Sequence, residues 1–579
     1  MLKYLIYVKI SVEKIKVKIM DYKKYIAGKI NVEGVSAEEI ASAITLPPNS
    51  QMGDYALPCF KFAKALRKSP VLIAQQLAGE IAADDIISEV SAVNGYLNFK
   101  INKEGLAREV LAVISEQGEK YGSSNMGEGK TICIDYSSVN IAKPFHIGHL
   151  STTVLGSSLY KIFNFLGYKA VGINHLGDYG TQFGKLISAY KHWGNREEVE
   201  KGGIHAINDL YVRFNNEADE EMEKEAREYF RLIESGDKEA NELFDWFKQL
   251  TLDYVKKIYE RLDVHFDSYA GERFYTDKMQ PVIDELRQKG LLKESNGAQI
   301  VDLEEYGMPP CLILRSDGAS LYATRDIAAA IYRKNTYDFY KCLYVVAYQQ
   351  NLHFRQIFKV LELMGKEWAK DLVHVAYGMV SLEDGAMSTR KGKVVWLEDV
   401  ISKCVEKAYK VVSEKNPDLE NKDDIAEKVG VGAVIFSALY NNKIKDITFS
   451  YDKVLSFEGE TSVYVQYTCA RAASVNEKAG DYNPVIPEEL SLTDEEFEVV
   501  KTLATFPETV IDAADKYEPS YIARYAVDLA QKFNKFYFDC KILTAEEGVK
   551  DFRIELTKAT LRTLENALGL LGIGVPEKM

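Results

Sequence analysis

The sequence lacks the patterns of several protein classes. Its seven cysteines form no Cys-x-x-Cys pair, which argues against both a zinc site and a disulfide framework and favours reduced thiols in a cytosol. No run of about 18 or more apolar residues occurs, and the first residues lack a signal-peptide core, so neither membrane insertion nor secretion is indicated. Repeats and low-complexity tracts are also missing. With 579 residues, 46% of them hydrophobic, we expect a soluble cytoplasmic protein of about three to four domains.

The charge of the chain is negative and unevenly distributed. A formal net charge of -14 neither proves nor excludes nucleic-acid binding, because phosphate contact needs only a local basic patch. Residues 1–30 carry eight lysines, whereas the stretch 196–239 is dense in acids. We expect any bound RNA to avoid that acidic stretch.

The N-terminal part predicts a leader and a small domain. Residues 1–19 alternate lysine with apolar residues, but Met20 is an equally good translation start, so this leader is uncertain. Residues 20–120 predict an α+β domain with helices over Leu57–Leu66 and Val71–Ala83 and a strand over Ser91–Ile101. A Gly-, Ser- and Asn-rich linker follows at 121–129.

The middle of the chain predicts an α/β domain. The apolar run Thr131–Tyr136, a helix from about Phe145 to Leu166 and a strand Tyr168–Ile173 form a βαβ unit. This unit predicts a Rossmann-type doubly wound parallel sheet with its ligand at the carboxyl ends of the strands. Four more strand-like segments extend the domain over 121–398, namely Ile300–Leu303, Cys311–Leu314, Cys342–Ala347 and Leu372–Ala376. A charged helical insertion is predicted near 191–267, a helical connecting region at 399–455 and an all-helical bundle at 456–579.

A pair of histidines stands where the first strand gives way to its helix. His146 and His149 are three residues apart and share a face, while Gly148 lets a nucleotide approach the backbone. Pro144 favours the helix start, and the ammonium of Lys143 adds charge. With the free amides of the helix end, these groups predict a cationic cradle for a triphosphate. An isolated pair with this spacing would be expected only to cap a helix, but the βαβ context favours phosphate binding.

The segment Asn140–Leu150, NIAKPFHIGHL, resembles the histidine signature of class I aminoacyl-tRNA synthetases in the form of the arginine-specific family. The resemblance implies catalytic roles for Lys143, His146 and His149. The stretch His175–Gly184, HLGDYGTQFG, is similar to the next block of the same family. It implies that Gly177, Asp178 and Gly180 join Gly148 and the histidines at ATP, although Gly-Asp-x-Gly alone indicates only a turn.

The second signature of class I enzymes, Lys-Met-Ser-Lys-Ser, is altered here. Ala386–Gly392 reads AMSTRKG, so Ala386 and Thr389 replace the two lysines. It resembles the MSTRKG form of the arginine family, in which the lysine before the histidine signature supplies the missing charge. The resemblance implies that Arg390 and Lys391 assist catalysis; without it they are exposed basic loop residues. ATP contacts are implied for Met379, Val380, Ser388 and Thr389.

A third block, Ser316–Ala330, resembles the amino-acid pocket of the arginine family. A guanidinium group requires carboxylates that accept two hydrogen bonds and an aromatic face for stacking. The resemblance implies that Asp135 and Asp326 hold the guanidinium, although many relatives have glutamate at the first position. It also implies that the rest of the substrate is positioned by Asn140, Tyr322 and Gln350. The alternative is that Asp326 simply pairs with Arg325.

The C-terminal region contains aromatic residues that can stack on unpaired bases, although such residues more often belong to a core. The resemblance to the family's anticodon-binding bundle implies tRNA contacts for Tyr464, Tyr467, Tyr537 and Met579. The segment from Met52, MGDYALPCFKFAKAL, resembles the family's N-terminal domain, which touches the tRNA elbow.

The resemblance implies a complete reaction. Arginine, ATP as its Mg²⁺ complex and tRNA(Arg) give arginyl-tRNA through an arginyl-adenylate, with release of AMP and pyrophosphate. We expect a monomer without a protein-bound metal or zinc. Two rival hypotheses are another class I synthetase, such as the cysteine or glutamate enzyme, and a noncatalytic tRNA-binding paralogue.

Overall fold

The structure is a computed structural model that describes residues 22–47, 52–315, 322–382, 395–480, 482 and 490–579. Two compact units divide the chain. The smaller unit contains residues 1–121, 474–506 and 531–563, and the larger unit contains residues 122–473, 507–530 and 564–579. Within the described ranges, no helix is both long and apolar enough to cross a membrane.

The smaller unit begins with an α+β region built on a three-stranded antiparallel sheet of order β1-β3-β2. Its strands are β1 (Tyr55–Pro58), β2 (Ile87–Val93) and β3 (Tyr96–Ile101). Its helices are α1 (Tyr22–Gly28), α2 (Ala37–Ala43), α3 (Ala63–Leu66), α4 (Pro70–Glu80) and α5 (Lys103–Gln117). The side chains of Ser36, Ser69 and Asn102 accept hydrogen bonds from the first turns of α2, α4 and α5, which explains where these helices start.

Two predictions in this region need correction. The predicted helix Leu57–Leu66 begins two residues later, because Leu57 and Pro58 belong to β1, where Pro58 disfavours helical backbone at Leu57. A 3-10 helix over Cys59–Phe62 then leads into α3. The predicted single strand Ser91–Ile101 is a hairpin, since Asn94 and Gly95 adopt φ angles of 51° and 83° between β2 and β3. An Asn-Gly pair favours such a turn.

The larger unit is organised around a four-stranded parallel sheet of order β10-β9-β4-β5, which confirms the predicted fold class. Its strands are β4 (Thr131–Asp135), β5 (Lys169–Ile173), β9 (Lys341–Ala347) and β10 (Leu372–Tyr377). Helices α6 (Leu150–Phe165), α7 (Gln182–Trp193), α11 (Met279–Gln288), α12 (Tyr322–Tyr337) and α13 (Asn351–Leu363) belong to the same unit. Cys133, Val171, Ile327, Cys342 and Ile357 share its main apolar core.

The predicted insertion is helical. It consists of α8 (Arg196–Glu217), α9 (Glu220–Ser235) and α10 (Lys238–Arg261). Each helix begins after an Asn or Asp whose side chain accepts a backbone hydrogen bond, namely Asn195, Asp219 and Asp237.

Two predicted strands of the parallel sheet lie elsewhere. They belong to a separate antiparallel sheet of β6 (Leu292–Ser295), β7 (Ala298–Val301) and β8 (Cys311–Leu314). Asn296 and Gly297, with φ angles of 50° and 78°, form the turn between β6 and β7. This turn folds the segment back on itself, so β7 pairs with β6 and β8 rather than with β9.

The chain after β10 is largely helical. A two-stranded parallel pair joins β11 (Val380–Leu382) to β12 (Ile447–Phe449). The helices are α14 (Leu397–Lys415), α15 (Lys422–Leu439), α16 (Tyr451–Val454), α17 (Ser462–Ala479), α18 (Asp494–Ala504), α19 (Phe506–Asp515), α20 (Ser520–Asp539) and α21 (Val549–Leu570).

Candidate active site

The candidate site residues follow the carboxyl ends of the parallel strands. Asp135 ends β4, the His175 segment follows β5, Gln350 follows β9 and Met379 follows β10. The chain runs from β4 to β5 on one side and later returns to β9 on the other side, so the strand order reverses between β4 and β9. Ligands of doubly wound sheets bind at such a reversal point. The structure therefore brings these segments together at the edge where the fold class predicts the ligand.

The loop after β4 has an unusual backbone. Ser137, Ser138 and Ala142 have positive φ angles of 69°, 47° and 59°, although none is glycine. Thr152 Oγ1 accepts a hydrogen bond from the Ser137 amide at 3.1 Å, and Thr251 Oγ1 accepts one from the Ala142 amide at 3.1 Å. Positive φ angles at such residues cost energy and concentrate at functional sites. This loop leads directly into Lys143 and the histidine pair.

His146 and His149 cap a short helical turn with their ring nitrogens. His146 Nδ1 accepts a hydrogen bond from the Gly148 amide at 3.0 Å, and His149 Nδ1 accepts one from the His146 amide at 3.2 Å. The ring centroids are 4.0 Å apart. Because each Nδ1 is an acceptor, the proton of each neutral ring is on Nε2. Both rings therefore cap the turn, as the alternative interpretation expected, and each still has an N–H available for a ligand.

The charge of this pair differs from the expected cationic cradle. Burial lowers the pKa of His146 to about 4. Burial also lowers the pKa of His149 to about 3, and the neighbouring His146 adds to that effect. Both imidazoles are therefore neutral at pH 7. Lys143, three residues before His146, adds a cation to this segment, and Arg333 supplies a second one beside Asp135 at the end of β4.

The chain that follows the second signature lies beside the first signature. Ser388, Thr389, Arg390 and Lys391 lie outside the described residues. Immediately after them, Val395 O accepts a hydrogen bond from the Ile147 amide at 3.2 Å, and the Leu397 amide donates to Phe145 O at 2.9 Å. Before them, Val380 is buried in β11, and Met379 is 41% exposed. Backbone hydrogen bonds thus hold the chain just after the second signature against the first signature.

The Gly-Asp-x-Gly segment is held mainly by protein contacts. At Gly177 a Cβ atom would overlap Asn140 Oδ1, so glycine is needed for the pairing of these two residues. Asp178 is buried and bonds to Lys248 Nζ at 2.7 Å and to the Arg273 amide at 2.8 Å. Gly180 has a φ of 138° and lines a cavity of about 350 Å³. Of the three predicted ATP contacts here, Asp178 is occupied by internal partners.

Asp135 is likewise occupied by an internal guanidinium. Its Oδ2 lies 2.7 Å from Arg333 Nη2, and its Oδ1 accepts a hydrogen bond from Ser138 Oγ at 3.0 Å. Arg333 is only 1% exposed, and its Nε and Nη1 have no hydrogen-bond partner in the structure. The structure places Asp135 in the predicted pocket region, but its carboxylate already neutralises a buried arginine.

Asp326 is held by an imidazole. His353 Nε2 lies 2.6 Å from Asp326 Oδ2, and His175 Nε2 lies 4.0 Å from Oδ1. Burial acts to raise the pKa of Asp326, but the hydrogen bond from His353 and the positive groups nearby hold the pKa below its usual range. The alternative pairing with Arg325 is wrong, because Arg325 Nη1 lies 2.8 Å from Glu272 instead. Asp326 is therefore an ionised carboxylate whose Oδ1 accepts no hydrogen bond from any residue that the structure describes.

The remaining predicted pocket residues present exposed side chains. Tyr322 is 67% exposed at the first residue of α12, one turn before Asp326. Gln350 is exposed at the N-cap of α13, and Asn140 is exposed in the strained loop. None of the three is locked into a core, so each is accessible to a ligand.

Comparisons with known proteins agree with this geometry. Three family models match, described as tRNA synthetases class I (R), catalytic domain (residues 109–451), DALR anticodon binding domain (465–579) and Arginyl tRNA synthetase N terminal domain (20–101). An arginine--tRNA ligase of Alkaliphilus metalliredigens is 52% identical over 554 residues, covering 95% of this chain and 97% of the relative. The arginine--tRNA ligase of Halothermothrix orenii is 52% identical over 565 residues, covering 97% and 100%.

The chain belongs to the arginyl-tRNA synthetase family. The solved arginyl-tRNA synthetase of Thermus thermophilus superimposes with a TM-score of 0.81 at 28% identity, covering 93% of this chain and 96% of that one. The family resemblance is confirmed, and the rival assignments to the cysteine or glutamate enzymes are not supported.

The structure also has a carboxylate near Asp326 that the sequence did not single out. Glu272 precedes α11 and bonds to Arg325, whose guanidinium lies 4.2 Å from the ring centroid of Tyr179. The pKa of Glu272 is raised to about 7, mainly by burial; Arg325 acts to lower it, and the nearby carboxylates Asp326 and Asp178 act to raise it. Glu272 lies in a segment without a recognisable signature, so only its position next to Asp326 identifies it.

The raised pKa of Glu272 predicts a pH dependence of arginine binding. The ionised form attracts a guanidinium, and with a pKa of about 7 its fraction rises about tenfold between pH 6 and pH 8. If Glu272 contacts the substrate, KM for arginine should fall by up to about tenfold as the pH rises over this interval. Glu272→Gln should flatten this dependence in steady-state aminoacylation. An unchanged pH profile in that variant would remove Glu272 from the pocket.

The predicted tRNA contacts fall in both compact units. Tyr464 and Tyr467 lie on α17 in the larger unit, where the Arg471 guanidinium is 5.1 Å from the Tyr467 ring centroid. Met579 packs against an apolar cluster of the same unit, and its carbonyl accepts a hydrogen bond from Asn416 at 2.7 Å. Tyr537 lies on the part of α20 in the smaller unit and is 41% exposed.

Proposed function

We propose that this chain attaches arginine to tRNA(Arg) through an arginyl-adenylate, with the residues at the carboxyl edge of the parallel sheet as its active site. The observation that carries the proposal is the convergence at one sheet edge of two N–H-bearing imidazoles and an ionised carboxylate with a free oxygen. The imidazole N–H groups suit phosphate oxygens, and the carboxylate suits a guanidinium.

In the first step the arginine carboxylate attacks the α-phosphorus of ATP, and pyrophosphate leaves. The enzyme acts by alignment and charge stabilisation rather than by a covalent intermediate on a side chain. The Nε2–H groups of His146 and His149 donate to phosphate oxygens, and Lys143 supplies positive charge. Arg390 and Lys391 join Lys143 at the leaving group, and Mg²⁺ arrives with ATP as its counterion. Within the described ranges, no group of three acidic, His or Cys side chains offers a separate metal site.

The nucleotide is held along the same edge. Gly148 gives the phosphates access to the backbone, and Gly177, Gly180, Met379 and Val380 border the remaining nucleotide. Ser388 and Thr389 complete the phosphate contacts. Asp178 acts indirectly by fixing its segment through Lys248 and the Arg273 amide.

The amino-acid pocket recognises arginine by charge. Asp326 faces the guanidinium beside the Glu272–Arg325 pair, while Asn140, Tyr322 and Gln350 position the rest of the substrate. Asp135 contributes by holding Arg333. Because a buried carboxylate left without its partner is costly, an uncharged analogue is rejected by several orders of magnitude.

In the second step the terminal adenosine hydroxyl of tRNA attacks the adenylate and releases AMP. Tyr464, Tyr467, Tyr537 and Met579 contact the anticodon side of the tRNA, and residues 20–120 contact its elbow. The catalytic domain spans 121–398 with its insertion near 191–267, followed by the connecting region 399–455 and the anticodon-binding bundle 456–579. The enzyme works as a monomer in the cytoplasm.

Aminoacylation tests the proposal directly. The purified chain is incubated with ATP, Mg²⁺, total tRNA and each of the twenty amino acids in turn. Charging with arginine alone is expected. Charging with another amino acid would point to a different class I specificity, and no charging at all would support the noncatalytic paralogue.

A further inference from the structure

A short hydrogen bond joins His353 to the predicted pocket residue Asp326. His353 lies on the first turn of α13, and its Nε2 approaches Asp326 Oδ2 of α12 to 2.6 Å. The two side chains are 24% and 26% exposed, so water is only partly excluded from the pair. A distance this short indicates a charge-assisted hydrogen bond.

The second oxygen of Asp326 is left open. His175 Nε2 stands 4.0 Å from Oδ1, which is too far for a hydrogen bond. His175 Nδ1 faces Arg333 Nη2 at 3.4 Å. Among the residues that the structure describes, His353 thus makes the only hydrogen bond to this carboxylate. The terminal torsion of an aspartate has a broad energy minimum, so without that bond the carboxylate is free to rotate.

From these contacts we infer that His353 is a positioning residue for arginine recognition. It holds Oδ2 of Asp326 and thereby turns Oδ1 towards the substrate guanidinium. This inference rests on the proposed role of Asp326 in the arginine pocket. His353 lies three residues after Gln350, so the first turn of α13 contributes both residues to the same side of the pocket.

A neighbouring histidine provides a matched control. The ring of His374 stacks on Phe354 at a centroid distance of 4.5 Å, and its Nε2 lies 2.9 Å from Val346 O. The ring of His353 contacts the same Phe354 at 5.4 Å. His374 therefore shares the packing environment of His353, but within the described part of the chain its Nε2 bonds to Val346 O and not to Asp326.

The test compares His353→Ala, His353→Gln and His374→Ala in steady-state aminoacylation by the full chain. His353→Ala should raise KM for arginine about 10- to 100-fold, the usual effect of losing a hydrogen bond to a charged group. KM for ATP and kcat at saturating arginine should change less than about twofold. His353→Gln, whose Nε2–H can replace that of the imidazole, should recover most of the lost affinity. His374→Ala should leave KM for arginine unchanged.

Other outcomes would overturn the inference. An unchanged arginine KM in His353→Ala, no recovery in His353→Gln, or an equal effect of His374→Ala would each do so. If His353 acts through Asp326, adding His353→Ala to Asp326→Asn should have little further effect, and fully additive effects would contradict this. If Asp326→Ala itself leaves KM unchanged, the proposed pocket fails as well, whereas a strong effect of Asp326→Ala beside a neutral His353→Ala rejects only the positioning role.

Discussion

Asp326→Ala is expected to raise KM for arginine about 100-fold or more. Asp326 is ionised, has one oxygen held by His353 and keeps the other oxygen open. Removing one member of a desolvated charge pair costs about 2–5 kcal/mol, and each 1.4 kcal/mol corresponds to about a tenfold change. KM for ATP should stay within about twofold, because the histidine pair is unaffected. Initial rates of aminoacylation with varied arginine and varied ATP would separate the two constants.

The control for this variant is Asp338→Ala. Asp338 follows the same helix, has a side chain that is 92% exposed, and forms an ion pair with Lys334. It should leave both Michaelis constants unchanged. Asp326→Asn separates charge from shape, since it keeps the size of the side chain but cannot act as a carboxylate. Equal arginine KM values in wild type and Asp326→Ala would remove Asp326 from the pocket.

His149→Ala is expected to slow adenylate formation about 100-fold or more. The neutral ring offers an Nε2–H to a phosphate oxygen, and the loss of one such donor to a developing charge typically costs about 100- to 1,000-fold in kcat. The measurement is ATP–pyrophosphate exchange with tRNA present. Arginine affinity should change little.

Two substitutions separate the two nitrogens of His149. In His149→Asn the side-chain oxygen can still accept the hydrogen bond from the His146 amide, but the Nε2–H is lost. In His149→Gln a donor reaches the Nε2 position, while the acceptor at Nδ1 is lost. If phosphate contact matters, glutamine should be more active than asparagine. The reverse order would show that His149 serves only as a cap. His192→Ala, which alters an imidazole bonded to Glu225 on the insertion, should be fully active.

Much of the α/β architecture was predictable from local patterns. The apolar run at β4 and the following helix and strand identified the βαβ unit, because a buried parallel strand leaves a continuous apolar signature. The wrong strand assignments lie at the Asn-Gly pairs 94–95 and 296–297, a residue pair that favours tight turns. Reading these pairs as turns would have produced both hairpins.

The candidate site was less predictable in its charges than in its positions. The segments that meet at the sheet edge were found from the signatures, but the neutrality of His146 depends on burial, which sequence spacing does not contain. The same holds for Asp135, whose buried partner Arg333 is distant in the chain and belongs to no motif. His353 and Glu272 could not be identified from the sequence, because each stands out only through a contact with α12, at Asp326 and Arg325 respectively.

Backbone hydrogen bonds fix the chain just after the second signature to the first signature. Lys391 is four residues from Val395, whose carbonyl bonds to the Ile147 amide. A chain of four residues spans at most about 14 Å. On the proposed role of Lys391 at the pyrophosphate, this short tether requires the phosphates to be bound close to the histidine pair.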